Sequence, residues 1–416
     1  MRSAGSVVRH LGGFSVQHRD LRSGQPIWLD RPATNVRFDE LSDDIVIDVA
    51  IVGAGISGAL VAETLSEVGY SVAVFDRRKP VAGSTSASTA LLLFEIDMPL
   101  HRLAHKIGFA NAERAWRRSK LAVDALRERT RALHISCELQ PNDSLYLAGD
   151  VLDAAGLQRE LIARRRAGFE TQFLDRNELK ERFGIDRAAA LRCFGNGEAN
   201  PRKLALGYLR AAAARDAAIY APVEIVTVEP RSRDVLALTK GGQRIRCKYL
   251  VFCTGYEIPD QVPHNGHRIV STWALATPPQ RRALWPERCL IWEASDPYLY
   301  MRATRDDRII IGGEDEEFED EGKRDAKLPA KAKIILRKLK KMFPDVVAEA
   351  DFSWTGTFGA SDTGLPSIGE IPGMDHCYAV LGYGGNGITF SMLAAQLIRN
   401  LIAGSGDSDS DLFSFK

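Results

Sequence analysis

The 416 residues carry 55 basic and 54 acidic side chains, a formal net charge of +1. That balance argues against a nucleic-acid surface, and the length allows a sizeable core, most simply in two domains. No apolar run is long enough to cross a membrane, and the six cysteines, Cys137, Cys193, Cys247, Cys253, Cys289 and Cys377, contain no C-x-x-C pair, as expected of reduced thiols in a cytoplasmic protein rather than a disulfide framework or zinc site.

In chain order, the first twenty residues share the basic bias of organelle transit peptides but contain no secretory apolar segment. Residues 1–44 are expected to form an N-terminal extension. "AIVGAGISGALVAETLSEVGYSVAVFD" follows. Val49–Val52 suits a buried parallel strand, and Gly53, Gly55 and Gly58 form G-x-G-x-x-G. Leu60, Val61, Thr64, Leu65 and Val68 then recur at helical spacing, and Ser71–Phe75 ends on Asp76. In such a unit the first glycine permits a tight turn, the second admits a pyrophosphate, and the third lets helix and strand pack closely. Asp76 stands where an acid binds ribose hydroxyls, which disfavours a 2'-phosphate. The motif alone leaves NAD and FAD open.

Helices are expected over Asn111–Leu133 and Leu152–Ala167 and from Asn177. Asn200 can cap a helix that Pro201 opens and that runs to about Ala217, with a strand at Glu224–Val228. The run "IRCKYLVFCTGY" reads as a buried strand ending at Thr254 and Gly255. The pattern predicts an α/β protein with a discontinuous Rossmann-like domain over 45–100, 196–262 and 350–404. A substrate domain with a mainly antiparallel sheet would take 101–195 and 263–349, and 405–416 a flexible tail.

Two alternating strands lie between Trp292 and Gly313 around a charged turn at Arg305–Asp307, and on the first of them Tyr298, Tyr300 and Arg302 share one face. That face is a candidate pocket wall or an exposed sheet surface. The acidic stretch Glu314–Glu321 reads as a loop, and Lys323–Lys341 as a basic amphipathic helix, most simply a solvated one. His101 and His105 could share a helix face, but no third ligand accompanies them and no metal site is expected.

Near the end, "CYAVLGYGGNGITFSMLAAQLIRNLIAG" is a strand, a turn holding Gly382, Gly384, Gly385 and Gly387, and an apolar helix. A second glycine-rich cradle calls for a ligand longer than a nicotinamide dinucleotide bound at one unit. In "VAIVGAGISGALVAETL" with Asp76, in "NPRKLALGYLRAAAARDAAIY" through "LVFCTGYE", and in "GTFGASDTGLPSIGEIPG" through "GYGGNGITFS", the chain resembles the FAD-dependent D-amino acid oxidase superfamily, which includes glycine, sarcosine and gamma-glutamylputrescine oxidases. The resemblance spans nearly the whole chain.

It implies that Gly53, Gly55, Ile56, Ser57 and Gly58 meet the FAD pyrophosphate, with Asp76 and Arg77 at the adenosine ribose and Ile225 at the adenine. It implies further that Ser84, Thr85, Ser88, Thr89, Ala90 and Leu91 pass beside the isoalloxazine ring, and that Thr254 and Gly255 close over the diphosphate. Gly384, Gly385, Asn386, Gly387, Ile388 and Thr389 would cover the pyrimidine edge. Tyr298 and Arg302 match a spacing at which family members grip a substrate carboxylate, a task suited to the guanidinium fork, with Tyr300 beside them. Members that oxidise amines keep an arginine here for structure. Neither Gly83–Leu93 nor Ser353–Asp362 contains a histidine or cysteine, so FAD is expected to be non-covalent. The implied reaction oxidises the C–N bond of a small amine or amino acid by hydride transfer to flavin N5, with dioxygen or another acceptor taking the electrons. The alternatives are a dehydrogenase for an amine, hydroxy acid or polyol that docks an acceptor on Lys331–Lys341, and a non-catalytic flavin-binding subunit.

Overall fold

A computed structural model describes residues 15–264 and 266–415. The presequence reading falls largely on residues 1–14, outside the described residues.

Ile45–Val52 is central because Val49, Ala50 and Ile51 are buried on both faces, as a parallel strand covered on either side requires. It pairs in parallel with Val72–Phe75 on one side and Arg244–Phe252 on the other, and the order across this sheet is 367–370, 377–381, 244–252, 45–52, 72–75, 218–220. The hairpin of Ile225–Pro230 and Val235–Thr239 attaches to the first half of Arg244–Phe252. Val52 is in register with both Phe75 and Phe252, and Phe252 with Ala379. Strands 45–52, 72–75 and 244–252 therefore end together and 377–381 runs two residues further, and in open α/β sheets the crevice beyond such carboxyl ends is where ligands bind.

The helices Ile56–Glu67, Pro201–Ala213 and Gly387–Ile402 share one core through Leu60, Leu65, Leu204, Leu209, Leu393 and Leu397. Phe109–Ala132 joins that core through Trp116, Val123 and Leu126. Its packing therefore lies with the parallel sheet, although its sequence position suggested the substrate domain.

The second sheet runs in the order 352–361, 267–276, 309–316, 299–303, 290–293, 140–147, 189–198, 91–92, with 171–175 beside 189–198. Every pairing is antiparallel except Leu290–Glu293 with Gln140–Leu147. Phe352–Ser361 belongs here, since it pairs with His267–Ala276 along its full length, and not with the parallel sheet. Leu299 and Met301 turn into the core beneath, against Ile335 and Leu339 of the helix Leu328–Met342.

Three other expectations change. The helix from Pro201 stops at Ala213, because Asp216 has φ 65° and turns the chain into the short strand Ala218–Tyr220. Glu314–Glu316 is strand and not loop. Its acids face the basic helix: Lys331 lies 2.9 Å from Glu316, and Lys338 pairs with Glu314. The charge expected to be solvated, or to dock an acceptor, is thus partly neutralised within the protein. The tail is also docked. Phe413 is 1 % exposed, its carbonyl accepts from Ile368 N at 2.6 Å, and Asp409 and Asp411 pair with Arg114. No helix among the described residues is long and apolar enough to cross a membrane.

Candidate active site

Beyond the aligned strand ends lies a cavity of about 540 Å³, within the range of small-molecule and cofactor sites. The glycine cradle forms one wall. Gly53 has φ 112°, and a Cβ there would lie 2.3 Å from Cys253 O. A Cβ on Gly58 would lie 1.8 Å from Gly53 O. Only glycine lets the helix start this close to the strand, and its first turn, Ile56 and Ser57, lines the cavity with the positive end of the helix, as in an anion site.

Asp76 ends the neighbouring strand. Its carboxylate accepts from Ala54 N at 2.7 Å and from Arg78 N at 2.8 Å. Burial raises its pKa, against the pull of these amides and of Arg78. Next to it Glu257 accepts from Arg78 through both oxygens, at 2.7 and 2.9 Å, from Arg77, and from Arg19 N at 2.7 Å. Burial opposes ionisation of Glu257, but the hydrogen bonds of Arg78 and Arg77 outweigh it and hold the carboxyl below its usual range. This knot ties the N-terminal segment to the ribose end of the cavity.

The second cradle is anchored from the opposite side. Asn386 Nδ2 donates to Glu95 O at 2.7 Å, Thr389 Oγ1 to Leu93 O at 2.8 Å, and Gly385 N to Asp97 Oδ2 at 2.8 Å. Ser57 Oγ and Ser391 Oγ, 2.8 Å apart, join the two cradles directly. The helix from Gly387 therefore presents its positive end to the cavity.

Between the cradles runs 84–91. Three side chains hold successive carbonyls of this segment: Trp354 Nε1 donates to Ala87 O at 2.8 Å, Trp28 Nε1 to Ser88 O at 2.7 Å, and Arg302 Nε to Thr89 O at 2.8 Å. Thr85 Oγ1 accepts from Ile56 N at 3.0 Å, and Ser84 Oγ, shut away from solvent, has no hydrogen-bond partner in the protein. An orphaned hydroxyl on the cavity wall suits a ligand rich in acceptors.

Most of the residues anticipated from sequence meet here: Gly53, Gly55, Ile56, Ser57, Asp76, Arg77, Ser84, Thr85, Ser88 to Leu91, Ile225, Thr254, Gly255 and Gly384 to Ile388 all line the cavity, as do Tyr298 and Tyr300. Gly58 and Thr389 act from behind, through the close helix approach and the bond to Leu93. Arg302 does not reach the cavity. It is enclosed under the 84–91 segment, where it also donates to Ala199 O at 2.8 Å, lies 3.5 Å from Glu198 and sits over the Trp28 ring. The expected carboxylate grip is corrected by this geometry. The alternation that puts Arg302 on the tyrosine face is present, but its side chain is engaged by protein carbonyls.

Sequence reasoning missed several residues. Asp315 lay in the stretch read as an acidic loop, and Asp97, Trp28, Trp354 and Glu257 had no motif. The carboxylate of Asp315 is closed off from solvent within reach of the Thr272 and Tyr298 hydroxyls, neither of which completes a well-formed hydrogen bond. Burial pushes its carboxyl from 3.8 up to about 7, with Asp97 adding to the rise and Lys331 opposing it.

Two expected results follow from these carboxylates. Asp76→Ala should weaken FAD binding by roughly 1.5–3 kcal/mol, about 10- to 150-fold, by removing a charge-assisted hydrogen bond to the ribose; unchanged affinity in an FAD titration would take Asp76 out of that role. For Asp315 the raised folded pKa sets the sign. The unfolded chain ionises above 3.8 while the folded protein stays neutral to about 7, so stability falls as pH rises between these values and levels off above them. Asp315→Asn should therefore gain on the wild type with rising pH, reaching on the order of 3–4 kcal/mol at about pH 8 in denaturant melts; a constant difference across pH would show that Asp315 titrates normally.

Comparison with known proteins agrees with this geometry. The family model described as FAD dependent oxidoreductase (DAO) matches residues 48–401. The chain is 24 % identical to a gamma-glutamylputrescine oxidoreductase of Escherichia coli (strain K12) over 381 residues, covering 89 % of this chain and 87 % of the relative. It is 26 % identical to a glycine oxidase of Geobacillus kaustophilus (strain HTA426), covering 85 % and 92 %. The crystal structure of glycine oxidase from Geobacillus kaustophilus shares the fold with a TM-score of 0.73 at 22 % identity, over 89 % of this chain and 98 % of that one. Matched over most of its length and folded with both cradles on one cavity, the chain belongs to the DAO family of FAD-dependent oxidoreductases.

Proposed function

We propose that the protein holds FAD non-covalently along this cavity and oxidises the C–N bond of a small amine or amino acid, whose imine product then hydrolyses in water. The observation that carries the reading is the placement of two glycine cradles, joined by Ser57 and Ser391, on a cavity whose remaining end is walled by Tyr298, Tyr300 and Trp292. When bound, FAD supplies a hydride acceptor at its N5 and passes the two electrons on to dioxygen or another acceptor.

The protein's own part is placement and electrostatics. Gly53, Gly55 and the N–H groups that open the helix at Ile56 hold the diphosphate, and Asp76 holds the ribose. The helix start at Gly387 favours negative charge at the pyrimidine edge, which makes the ring a better hydride acceptor. Trp28, Trp354 and Arg302 fix the 84–91 segment, which would lie beside the ring. Tyr298, Tyr300 and Trp292 exclude water and orient the carbon that bears the nitrogen. A non-covalent flavin is supported by the cavity lining: among the described residues, the cysteine and histidine that reach it are Cys253, behind the Gly53 turn, and His18, paired with Glu224 at 2.8 Å. Turnover of an active substrate should release ammonia or a shorter amine in equal amount to the carbonyl product. An oxidised product that keeps its nitrogen bond would refute C–N cleavage.

A further inference from the structure

The charges on the cavity wall are unevenly placed. Arg77, Arg78, Asp76, Glu257, His18 and Glu224 belong to the adenosine end, where they hold one another. Among the described lining residues this leaves Asp97 as the charged group of the opposite end. Its Oδ2 accepts from Gly385 N at 2.8 Å, and a Cβ on Gly384 would lie 2.5 Å from the same oxygen. The carboxylate thus rests on the bare glycine turn, exposed to the open cavity. The protein atoms around it raise its pKa, opposed by the Gly385 N–H.

Asp97 is close enough to Tyr298 and Tyr300 to add to the rise in their hydroxyl pKa values, behind the effect of burial, and Asp315 does the same from behind them. Trp292 and Tyr300 are cross-strand partners, and the Tyr298 and Tyr300 rings lie 5.6 Å apart. The donors at this end, the hydroxyls of Thr272, Tyr298 and Tyr300 and the Trp292 N–H, are all neutral, and the Trp292 N–H has no partner in the protein. The cation four residues along, Arg302, is enclosed elsewhere. A substrate carboxylate placed here would meet the Asp97 carboxylate and no cation among the described lining residues, a juxtaposition that costs binding. An ammonium would meet the reverse, a carboxylate whose ionised form it favours and aromatic faces that attract cations.

We propose that Asp97 receives the ammonium of a substrate that carries no carboxylate on its oxidised carbon and takes up its proton, leaving a neutral amine that can lose hydride to FAD, so that this protein oxidises alkylamines or diamines rather than α-amino acids. The inference rests on the C–N oxidation proposed above and names the substrate class within it.

The test uses the FAD-loaded full chain and the rate of anaerobic flavin reduction. The substrates are 1,4-diaminobutane, 1,3-diaminopropane and butylamine against glycine, N-methylglycine and D-proline. The amines should reduce the flavin with an efficiency about 100-fold higher or more. Asp97→Asn, which keeps an oxygen for Gly385 N, should raise the amine concentration for half-maximal rate by about 10- to 100-fold in the FAD-loaded protein, and should leave the half-maximal concentration of glycine unraised. Where that variant does not load FAD, the wild-type substrate preference decides alone. Preference for α-amino acids would overturn the inference and leave C–N oxidation standing, whereas a flavin reduced by neither class would overturn both.

Discussion

Arg302→Met is expected to lower folding stability and FAD affinity, and to slow the oxidation of carboxylate-bearing and carboxylate-free substrates by the same factor. The guanidinium is 3 % exposed and satisfies the carbonyls of Thr89 and Ala199 beside Glu198. Methionine fills much of the volume but takes a donor from each of two carbonyls and leaves Glu198 with no cation, only the Asn142 amide. Losing one partner of a buried charge pair costs about 3–5 kcal/mol. Because Thr89 sits in the segment held also by Trp28 and Trp354, the damage reaches the cavity through the backbone. Denaturant melts, FAD titration and reduction rates with one substrate of each kind check the three parts. A loss confined to carboxylate-bearing substrates, with stability and FAD affinity intact, would return Arg302 to a direct substrate role.

Gly58→Ala is expected to abolish stable FAD retention. Two effects oppose each other at this position. Alanine favours helix over glycine by about 1 kcal/mol, but its Cβ would lie 1.8 Å from Gly53 O. No rotamer relieves a contact between two backbone-fixed atoms, so the helix must move away from the strand, at a cost of roughly 1–3 kcal/mol. The same shift withdraws the N–H groups at the helix start, and FAD affinity should fall by about 100-fold or more. FAD titration of the purified variant checks this, and wild-type affinity would show that the turn can rearrange around the methyl group.

Much of this arrangement was legible in the chain itself, for physical reasons that differ by element. The first strand, turn and helix could be read because a buried parallel strand is apolar on both faces and the cradle demands glycine at fixed spacing. The antiparallel pair at Leu299–Ala303 and Ile309–Glu316 could be read because Leu299 and Met301 alternate with polar residues on the first strand and the second opens on a run of β-branched residues around a charged turn. What could not be read depends on contacts between segments distant in sequence. The strand 352–361 lies in the antiparallel sheet because His267–Ala276 offers it a full edge, a fact no local pattern carries. Arg302 had the right face but the wrong depth: strand alternation fixes direction, while the acceptors Thr89, Ala199 and Glu198 decide where a long side chain ends. Asp97 and Asp315 looked like ordinary acids, since nothing local shows that the fold sets one carboxylate on the second glycine turn and shuts the other away from solvent.

The most direct test of the central claim is the visible absorption of the FAD-reconstituted protein, recorded anaerobically before and after addition of amines and amino acids one at a time. A bound flavin spectrum that is bleached by at least one C–N substrate and returns when an electron acceptor is admitted is the expected result. A protein that rebinds no added FAD, or a bound flavin that every such substrate leaves oxidised, would contradict it.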